Sequence, residues 1–247
     1  MGLWSDRLLP RLTNRLLDVE AVRKARAQVC ADLTGDVVEL GFGSGLNVPH
    51  YPPTLGGVWA IDPSEVGLRL ACRRIRESPV RVVHAGFTAE TLPFPDGRFD
   101  CALSTFTLCT VPDVAQALRE LYRVLKPGGT LALSDFIAAP GALAAILTRL
   151  GESSPVAEGG EPEEGWYGHQ SKPPTSATYV RLGRSVGLDV IVDRDVTRET
   201  MPTYATLRNI YLGTGQIAGA ASVTALEELA RAGLLGYHIM AFCKRPA

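Results

Sequence analysis

The sequence of 247 residues predicts an α/β fold, with one mostly parallel sheet covered by helices on both faces. Three observations support this fold class. Short apolar segments alternate with amphipathic segments, which is typical of consecutive βαβ units. A glycine-rich turn follows the first apolar segment. Hydrophobic residues make up 46% of the chain and charged residues 21%, which is the composition of a folded globular protein.

Seven segments have the character of strands: residues 37–40, 57–61, 80–84, 99–104, 130–135, 188–196 and 236–243. Apolar residues at helical spacing predict one or two helices within 5–33, single helices at 66–76, 114–125, 141–150 and 178–186, and two within 202–233. The segments follow one another without an internal repeat or a linker between domains. We therefore expect one domain, with elaborations after the fifth strand.

Composition and charge exclude several classes of protein. The net charge of −1 provides little attraction for a nucleic-acid backbone. No apolar run reaches the roughly 18 residues of a membrane span, and Asp6, Arg7 and Pro10 interrupt the apolar stretch that a signal peptide would need. The five cysteines are scattered without a C-x-x-C pair, which favours reduced thiols and no metal site. We expect a cytoplasmic protein.

The glycine-rich turn is the strongest local indication of a ligand site. Gly41, Gly43 and Gly45 follow the strand at 37–40, where glycine allows a ligand to approach the backbone closely. Leu46 stands where the dinucleotide-binding pattern G-x-G-x-x-G has its third glycine. This difference disfavours a nicotinamide cofactor.

Two acidic residues flank this turn. Asp62 follows the second strand, 21 residues after Gly41, where a carboxylate can accept hydrogen bonds from ribose hydroxyls. Alternatively, Asp62 caps the helix that begins after Pro63. Glu39 lies inside the first strand, and a buried carboxylate is costly unless it has partners, which favours a role in ligand binding.

Four segments in sequence order carry a family resemblance: VVELGFGSG, AIDPS, LPFPDGRFDCALSTFTL and LYRVLKPGGTLALSDF. They resemble the motifs of class I S-adenosylmethionine (SAM)-dependent methyltransferases of the small-molecule, UbiE-like type. The resemblance implies a Rossmann-like seven-stranded sheet with N-terminal helices and a helical lid insertion after strand 6. It also implies one methyltransferase domain over 1–247, with a helical cap at 1–34, a cofactor-binding core at 35–137, and sheet completion with substrate-covering insertions at 138–247.

The resemblance further implies SAM as the cofactor, S-adenosylhomocysteine as its product, and a set of binding residues. The glycine turn would wrap the methionine and ribose portion, and Asp62 would bind the ribose hydroxyls. Glu39 would help to hold the ammonium group, directly or through water. The adenine edge would lie near Ala89. The full set is Glu39, Gly41, Phe42, Gly43, Gly45, Asn47, Asp62, Pro63, Thr88, Ala89, Glu90, Ser104 and Thr105.

Methyl transfer from a sulfonium is an in-line displacement, so that alignment can supply most of the acceleration. A general base is needed only where the acceptor must lose a proton. The candidate acid/base residues are His50, Tyr167 and His169, whereas His84 and His238 are interpreted as structural.

Specificity in this fold usually comes from segments that cover the cofactor. Trp166 and the helical face of Tyr204, Leu207 and Tyr211 are candidate lid residues. Alternatively, that face simply packs the insertion onto the sheet. A lid of this kind would enclose an apolar pocket for a small, fairly hydrophobic acceptor. An O-, N-, S- or C-nucleophile in secondary or quinone/lipid-type metabolism fits this expectation.

Three alternatives stay open at this point. One is a SAM-binding protein that does not methylate, such as a cyclase or a regulator. The second is an NAD(P)-dependent oxidoreductase, and the third is an RNA methyltransferase. We expect a monomer or homodimer that acts on a small molecule and does not bind nucleic acid.

Overall fold

The computed structural model describes residues 14, 17–86, 88–153 and 173–246. They contain one seven-stranded sheet in the order β3-β2-β1-β4-β5-β7-β6. Strands β1 to β5 pair in parallel, and β7 runs antiparallel to both β5 and β6. The strands are β1 Asp36–Leu40, β2 Gly57–Ile61, β3 Val82–Gly86, β4 Phe99–Thr105, β5 Leu125–Ala138, β6 Leu188–Asp195 and β7 Leu235–Lys244. The predicted fold class is confirmed.

The described helices are α1 Glu20–Cys30, α2 Glu65–Glu77, α3 Val114–Val124, α4 Leu143–Ser153, α5 Ser176–Val186, α6 Thr197–Thr200, α7 Pro202–Gly213 and α8 Ile217–Arg231. Short 3₁₀ turns occupy Val48–His50 and Leu108–Thr110. Helices α6 to α8 form the predicted insertion between β6 and β7. The structure places β3 two residues later than predicted and extends β5 in both directions. At its beginning Leu125 pairs with Phe99 of β4, and β5 pairs with β7 along nine residue positions up to Ala138.

The central strands are apolar on both sides because helices cover both faces of the sheet. Val37, Val38 and Leu40 of β1 are fully buried, as expected for a strand inside a parallel sheet. Helix α3 buries Leu118 and Leu121 on one face. The opposite face is covered by α1 and α2, so that two separate apolar cores lie above and below the sheet.

A third apolar cluster joins the insertion to the rest of the fold. It brings α7 and α8 together with α4 and with the beginning of α1. In the part of the chain that the structure describes, no helix combines the length and apolar character that crossing a membrane requires. The carboxyl ends of β1, β2 and β4 meet at one edge of the sheet, where the glycine turn lies. This is the edge at which open α/β sheets bind ligands.

The packing of α3 gives a test of the core. We expect Leu121→Ala to lower the free energy of unfolding by about 2–5 kcal/mol, because Leu121 is fully buried and its truncation leaves a cavity. Leu212→Ala is a matched control, since 54% of Leu212 is exposed near the end of α7, and it should cost less than about 0.5 kcal/mol. Urea denaturation measures both values, and equal losses would contradict the assignment of this core.

Candidate active site

The glycine turn after β1 has a backbone that only glycine adopts easily. Gly41, Gly43 and Gly45 have φ angles of 68°, 55° and 71°, in the left-handed region. A Cβ atom on Gly41 would overlap the side chain of Thr107, which follows β4. The turn lies at the carboxyl edge of the sheet. It can approach the segment after β4 this closely only because Gly41 has no side chain.

Asp62, at the end of β2, connects this turn to helix α2. Its Oδ2 accepts a hydrogen bond from the Gly43 backbone N–H at 2.7 Å, and its Oδ1 accepts one from the Ser64 N–H at 2.7 Å. Burial raises the pKa of Asp62. Each carboxylate oxygen keeps a further lone pair, which is available to a hydroxyl group in the adjacent cleft. Asp62 thus fixes the turn and remains able to accept from a ligand.

A cleft of about 470 Å³ opens in front of the turn. It brings together nine of the predicted cofactor residues: Gly41, Phe42, Gly43, Asp62, Pro63, Thr88, Ala89, Glu90 and Thr105. Its other lining residues include Leu17, Arg26, Leu46, Phe106 and Val111, none of which the sequence analysis proposed as a cofactor contact. Glu39, Gly45, Asn47 and Ser104 do not line the cleft but lie behind it.

Glu39 has its hydrogen bonds inside the protein. It accepts from Asn47 Nδ2 at 2.9 Å and from the Tyr51 hydroxyl. Burial raises the pKa of Glu39 to about 7, although the bonds from Tyr51 and Asn47 oppose the shift. This fully buried side chain does not line the cleft, and a hold on a ligand ammonium group, directly or through water, stays a prediction.

Arg26 of α1 is the charged residue in the described lining of the cleft that was not predicted from the sequence. Its Nη1 donates to Asn47 Oδ1 and to Thr105 Oγ1, both at 2.8 Å. Only 4% of Arg26 is exposed, its Nε has no hydrogen-bond partner among the described residues, and no described carboxylate forms an ion pair with it. Burial lowers the pKa of Arg26, yet a guanidinium stays charged in proteins. The cleft therefore contains a buried cation without an anionic contact.

Comparison with known proteins identifies the central part of this chain. The family model of the methyltransferase domain (Methyltransf_11) matches residues 38–133. The central part of the chain is thus similar to class I methyltransferase domains. The ubiquinone/menaquinone biosynthesis C-methyltransferase UbiE of Escherichia coli K12 is 37% identical over 138 residues, which are 55% of this chain and 51% of UbiE. The chain spans about half the length of the curated relatives it matches.

Solved structures agree on the fold over nearly the whole chain. A geranyl diphosphate methyltransferase in complex with SAM has a TM-score of 0.72 at 19% identity, and the match covers 96% of this chain and 90% of that chain. The [4+2]-cyclase SpnF has a TM-score of 0.68 at 20% identity, with coverage of 98% and 96%. At these identities the similarity establishes the methyltransferase fold alone.

Phe106, which lines the glycine-turn cleft just after β4, belongs to an aromatic cluster with residues near the end of β5 and the beginning of β7. Phe106 has a φ of 55°, the one positive φ of a residue other than glycine among those that the structure describes. Its ring stacks on Tyr237, with centroids 4.7 Å apart, and meets the edge of Phe136 at 5.6 Å. The guanidinium of Arg26 lies 5.2 Å from the Phe106 centroid. Such backbone strain is often stored where a ligand binds.

Of the three predicted acid/base residues, the structure describes only His50. His50 lies in the turn Val48–His50 and does not line the cleft. Burial and the nearby Arg26 lower the pKa of His50. Tyr167, His169 and Trp166 lie outside the described residues. Among the described lining residues there is no histidine, so this wall of the site binds and orients but offers no imidazole base.

The predicted lid residues have a different position from the one expected. Tyr204, Leu207 and Tyr211 are buried in the cluster that joins α7 to α8 and α4, and none of them lines the cleft. A helical face of apolar residues indicates burial but does not identify the partner. The positions of these three residues agree with the alternative, in which this face packs the insertion onto the fold. They do not contact the glycine-turn cleft, as a lid residue was expected to do.

The buried Glu39 predicts a specific dependence of stability on pH. Because its pKa is raised from 4.5 to about 7, the folded protein holds a proton that the unfolded chain releases. This contribution is therefore present below pH 4.5 and is lost as the pH rises to about 7. Its size is at most about 3–4 kcal/mol, since one pKa unit corresponds to about 1.4 kcal/mol.

Glu39→Gln keeps the shape of the protonated side chain and removes its titration. We expect the variant to lose less stability than the wild type between pH 4.5 and about 7, as measured by urea denaturation across that interval. Glu65→Gln, at an exposed position in the first turn of α2, is the control. Parallel pH profiles for wild type and Glu39→Gln would show that Glu39 does not titrate in this way.

Proposed function

We propose that this chain transfers the methyl group of SAM to a small organic acceptor and that SAM binds in the glycine-turn cleft. The observation that carries the proposal is the pairing of two groups across this cleft. Asp62 presents carboxylate lone pairs at one side, and the buried Arg26 presents an uncompensated cation at the other. A ligand with hydroxyl groups and a carboxylate would satisfy both.

The residues of the cleft fit the parts of SAM. Asp62 would accept from the ribose hydroxyls, and Arg26 would bind the methionine carboxylate through a charge-assisted hydrogen bond. Thr88, Ala89 and Glu90 lie together along the cleft, where the adenine would rest. Beside Gly43, where an added Cβ atom would meet nothing closer than the Gly41 carbonyl oxygen at 3.9 Å, there is room for the ligand to approach the turn.

When bound, SAM supplies an electrophilic methyl group on a sulfonium. The chain's own contribution is then to hold donor and acceptor in line, because alignment in a displacement can supply most of the acceleration. Thr105 and Phe106 are fixed for this purpose at the end of β4: Thr105 by Arg26 and Asn47, and Phe106 by its backbone bond to Ser134.

The lining of the cleft supports a mostly apolar acceptor. Leu17, Leu46, Phe106, Val111 and Pro112 surround the space near the end of β4. UbiE is named for C-methylation in ubiquinone and menaquinone biosynthesis, and we propose an acceptor of quinone or lipid type for this chain. The net charge of −1 suits such a molecule better than a polyanion. A cytosolic monomer or homodimer stays a prediction.

Two substitutions test the cofactor site. Arg26→Met and Asp62→Ala should each weaken SAM binding by about 1.5–3 kcal/mol, which is the range for hydrogen bonds to charged groups. Isothermal titration calorimetry with SAM measures the affinity, and Arg26→Lys should lose less because it keeps the charge. Arg76→Met, which removes an exposed arginine of α2, is the matched control. Wild-type affinity in both cleft variants would contradict the proposed site.

The reaction itself is tested with methyl-labelled SAM and a small-metabolite extract. We expect S-adenosylhomocysteine together with a product that carries the label and is heavier by one methylene group. Mass spectrometry identifies the acceptor, and Asp62→Ala serves as the inactive control. Tight SAM binding without labelled product from any acceptor would instead favour the cyclase or regulator alternative.

A further inference from the structure

A second cavity, of about 550 Å³, lies at the same edge of the sheet as the methyltransferase cleft. It is bounded by the ends of β5 and β6, the beginning of β7, the first residues of α5 and the end of α8. It shares no described lining residue with the glycine-turn cleft. Its volume falls in the range of about 300–1,000 Å³ that is typical of small-molecule sites.

The polar centre of this cavity is a histidine oriented by a carboxylate. His238 of β7 and Asp193 of β6 form a hydrogen bond between Nδ1 and Oδ1 at 2.8 Å. The other oxygen of Asp193 accepts from the hydroxyl of Ser176, at the start of α5. Asp193 thus orients the ring of His238, and Ser176 in turn orients Asp193. This arrangement fixes both the position and the tautomer of the imidazole.

The opposite edge of the His238 ring faces the cavity. Its Nε2 has no hydrogen-bond partner within the described ranges, and it lies 3.3 Å from the place that a Cβ atom on Gly236 would occupy. The hydroxyl of Thr197 lies 2.9 Å from the same place. Gly236 thus leaves a small niche beside Nε2. Since Nδ1 carries the proton that Asp193 accepts, neutral His238 presents Nε2 as an acceptor.

The other charged groups around this niche already have partners or lie on its exposed rim. Asp195 accepts from the backbone and side chain of Thr197, and the positive groups in the described lining of the cavity are Arg198 on the exposed rim and Arg231, which pairs with Glu227. The rest of the wall is largely apolar and includes Ile137, Ala138, Met201 and Leu235. The site therefore suits a neutral molecule with one hydrogen-bond donor and an apolar body.

We propose that this cavity is a second small-molecule site, which binds phenols or alcohols with an apolar body. The ligand hydroxyl donates a hydrogen bond to Nε2 of His238, and the apolar body lies against the ends of β5 and β7. The proposal gives His238 a role in ligand binding, in place of the structural role expected from the sequence. The proposal goes beyond methyl transfer, since the site contains none of the residues that would hold SAM.

The test uses the full chain and 1-naphthol as the probe. We expect saturable binding by isothermal titration calorimetry, weakened on the order of tenfold in His238→Ala because one hydrogen bond is lost. In NMR spectra of the chain with ¹⁵N-labelled histidine, free His238 should show the Nδ1–H tautomer. Addition of 1-naphthol should then shift its Nε2 signal and leave that of His84, on β3, unchanged.

A glycine substitution provides an independent arm. Gly236→Ala would place its Cβ in the niche and should abolish 1-naphthol binding. Gly213→Ala, with open space around its Cβ, should bind 1-naphthol as the wild type does. SAM affinity should be unchanged in His238→Ala, which separates this site from the proposed cofactor site. Absence of saturable 1-naphthol binding by the wild type, or equal affinity in His238→Ala, would overturn the proposal.

Discussion

The buried guanidinium of Arg26 is the constraint on which the site depends. Removing a charge from water costs several kcal/mol, and the structure offsets this cost with hydrogen bonds and an aromatic face in place of a carboxylate contact. Because the two oxygen acceptors of Arg26 belong to Asn47 and Thr105, the cation connects α1 to the segment after the glycine turn and to the end of β4. Helix α1, which precedes the sheet in sequence, thereby becomes a wall of the cleft.

Asn47 connects the buried Arg26 and the buried Glu39, which do not contact each other directly. Its Oδ1 accepts from Arg26, and its Nδ2 donates to Glu39 and to Thr105. The opposite orientation of this amide would place NH₂ against a guanidinium, so the two charged partners fix the amide. Tyr51 holds Glu39 from its other side. The result is a closed polar layer beneath the cleft, which leaves Arg26 as its charged group nearest to a ligand.

Local patterns in the sequence were sufficient to predict the strands of the sheet, the glycine turn and the position of Asp62 after the second strand. The apolar period of a strand, the residues of a turn and the order of segments along the chain can all be read from neighbouring residues. Arg26 was missed, although it lies on the apolar face of α1 with Val22, Ala25 and Val29. An arginine at such a position is the available signal, but its partners are 21 and 79 residues away and are known only from the fold. For the same reason the role of Tyr204, Leu207 and Tyr211 stayed open between lid and packing: their apolar face was recognised, whereas the helices that it packs against were not.

The antiparallel strand β7 explains why one edge of this sheet can carry two cavities. In a purely parallel sheet, the residues at the beginning of a strand lie at the edge remote from the ligand. Here β7 runs against β5 and β6, so that His238, near its beginning, pairs with Asp135 near the end of β5 and with Asp195 at the end of β6. Because β7 runs in the opposite direction, the residue that carries the imidazole lies next to residues of β5 and β6 that carry carboxylates. The glycine-turn cleft and the His238 cavity thus arise from two separate features of one topology: the turn after β1 and the change of direction at β7.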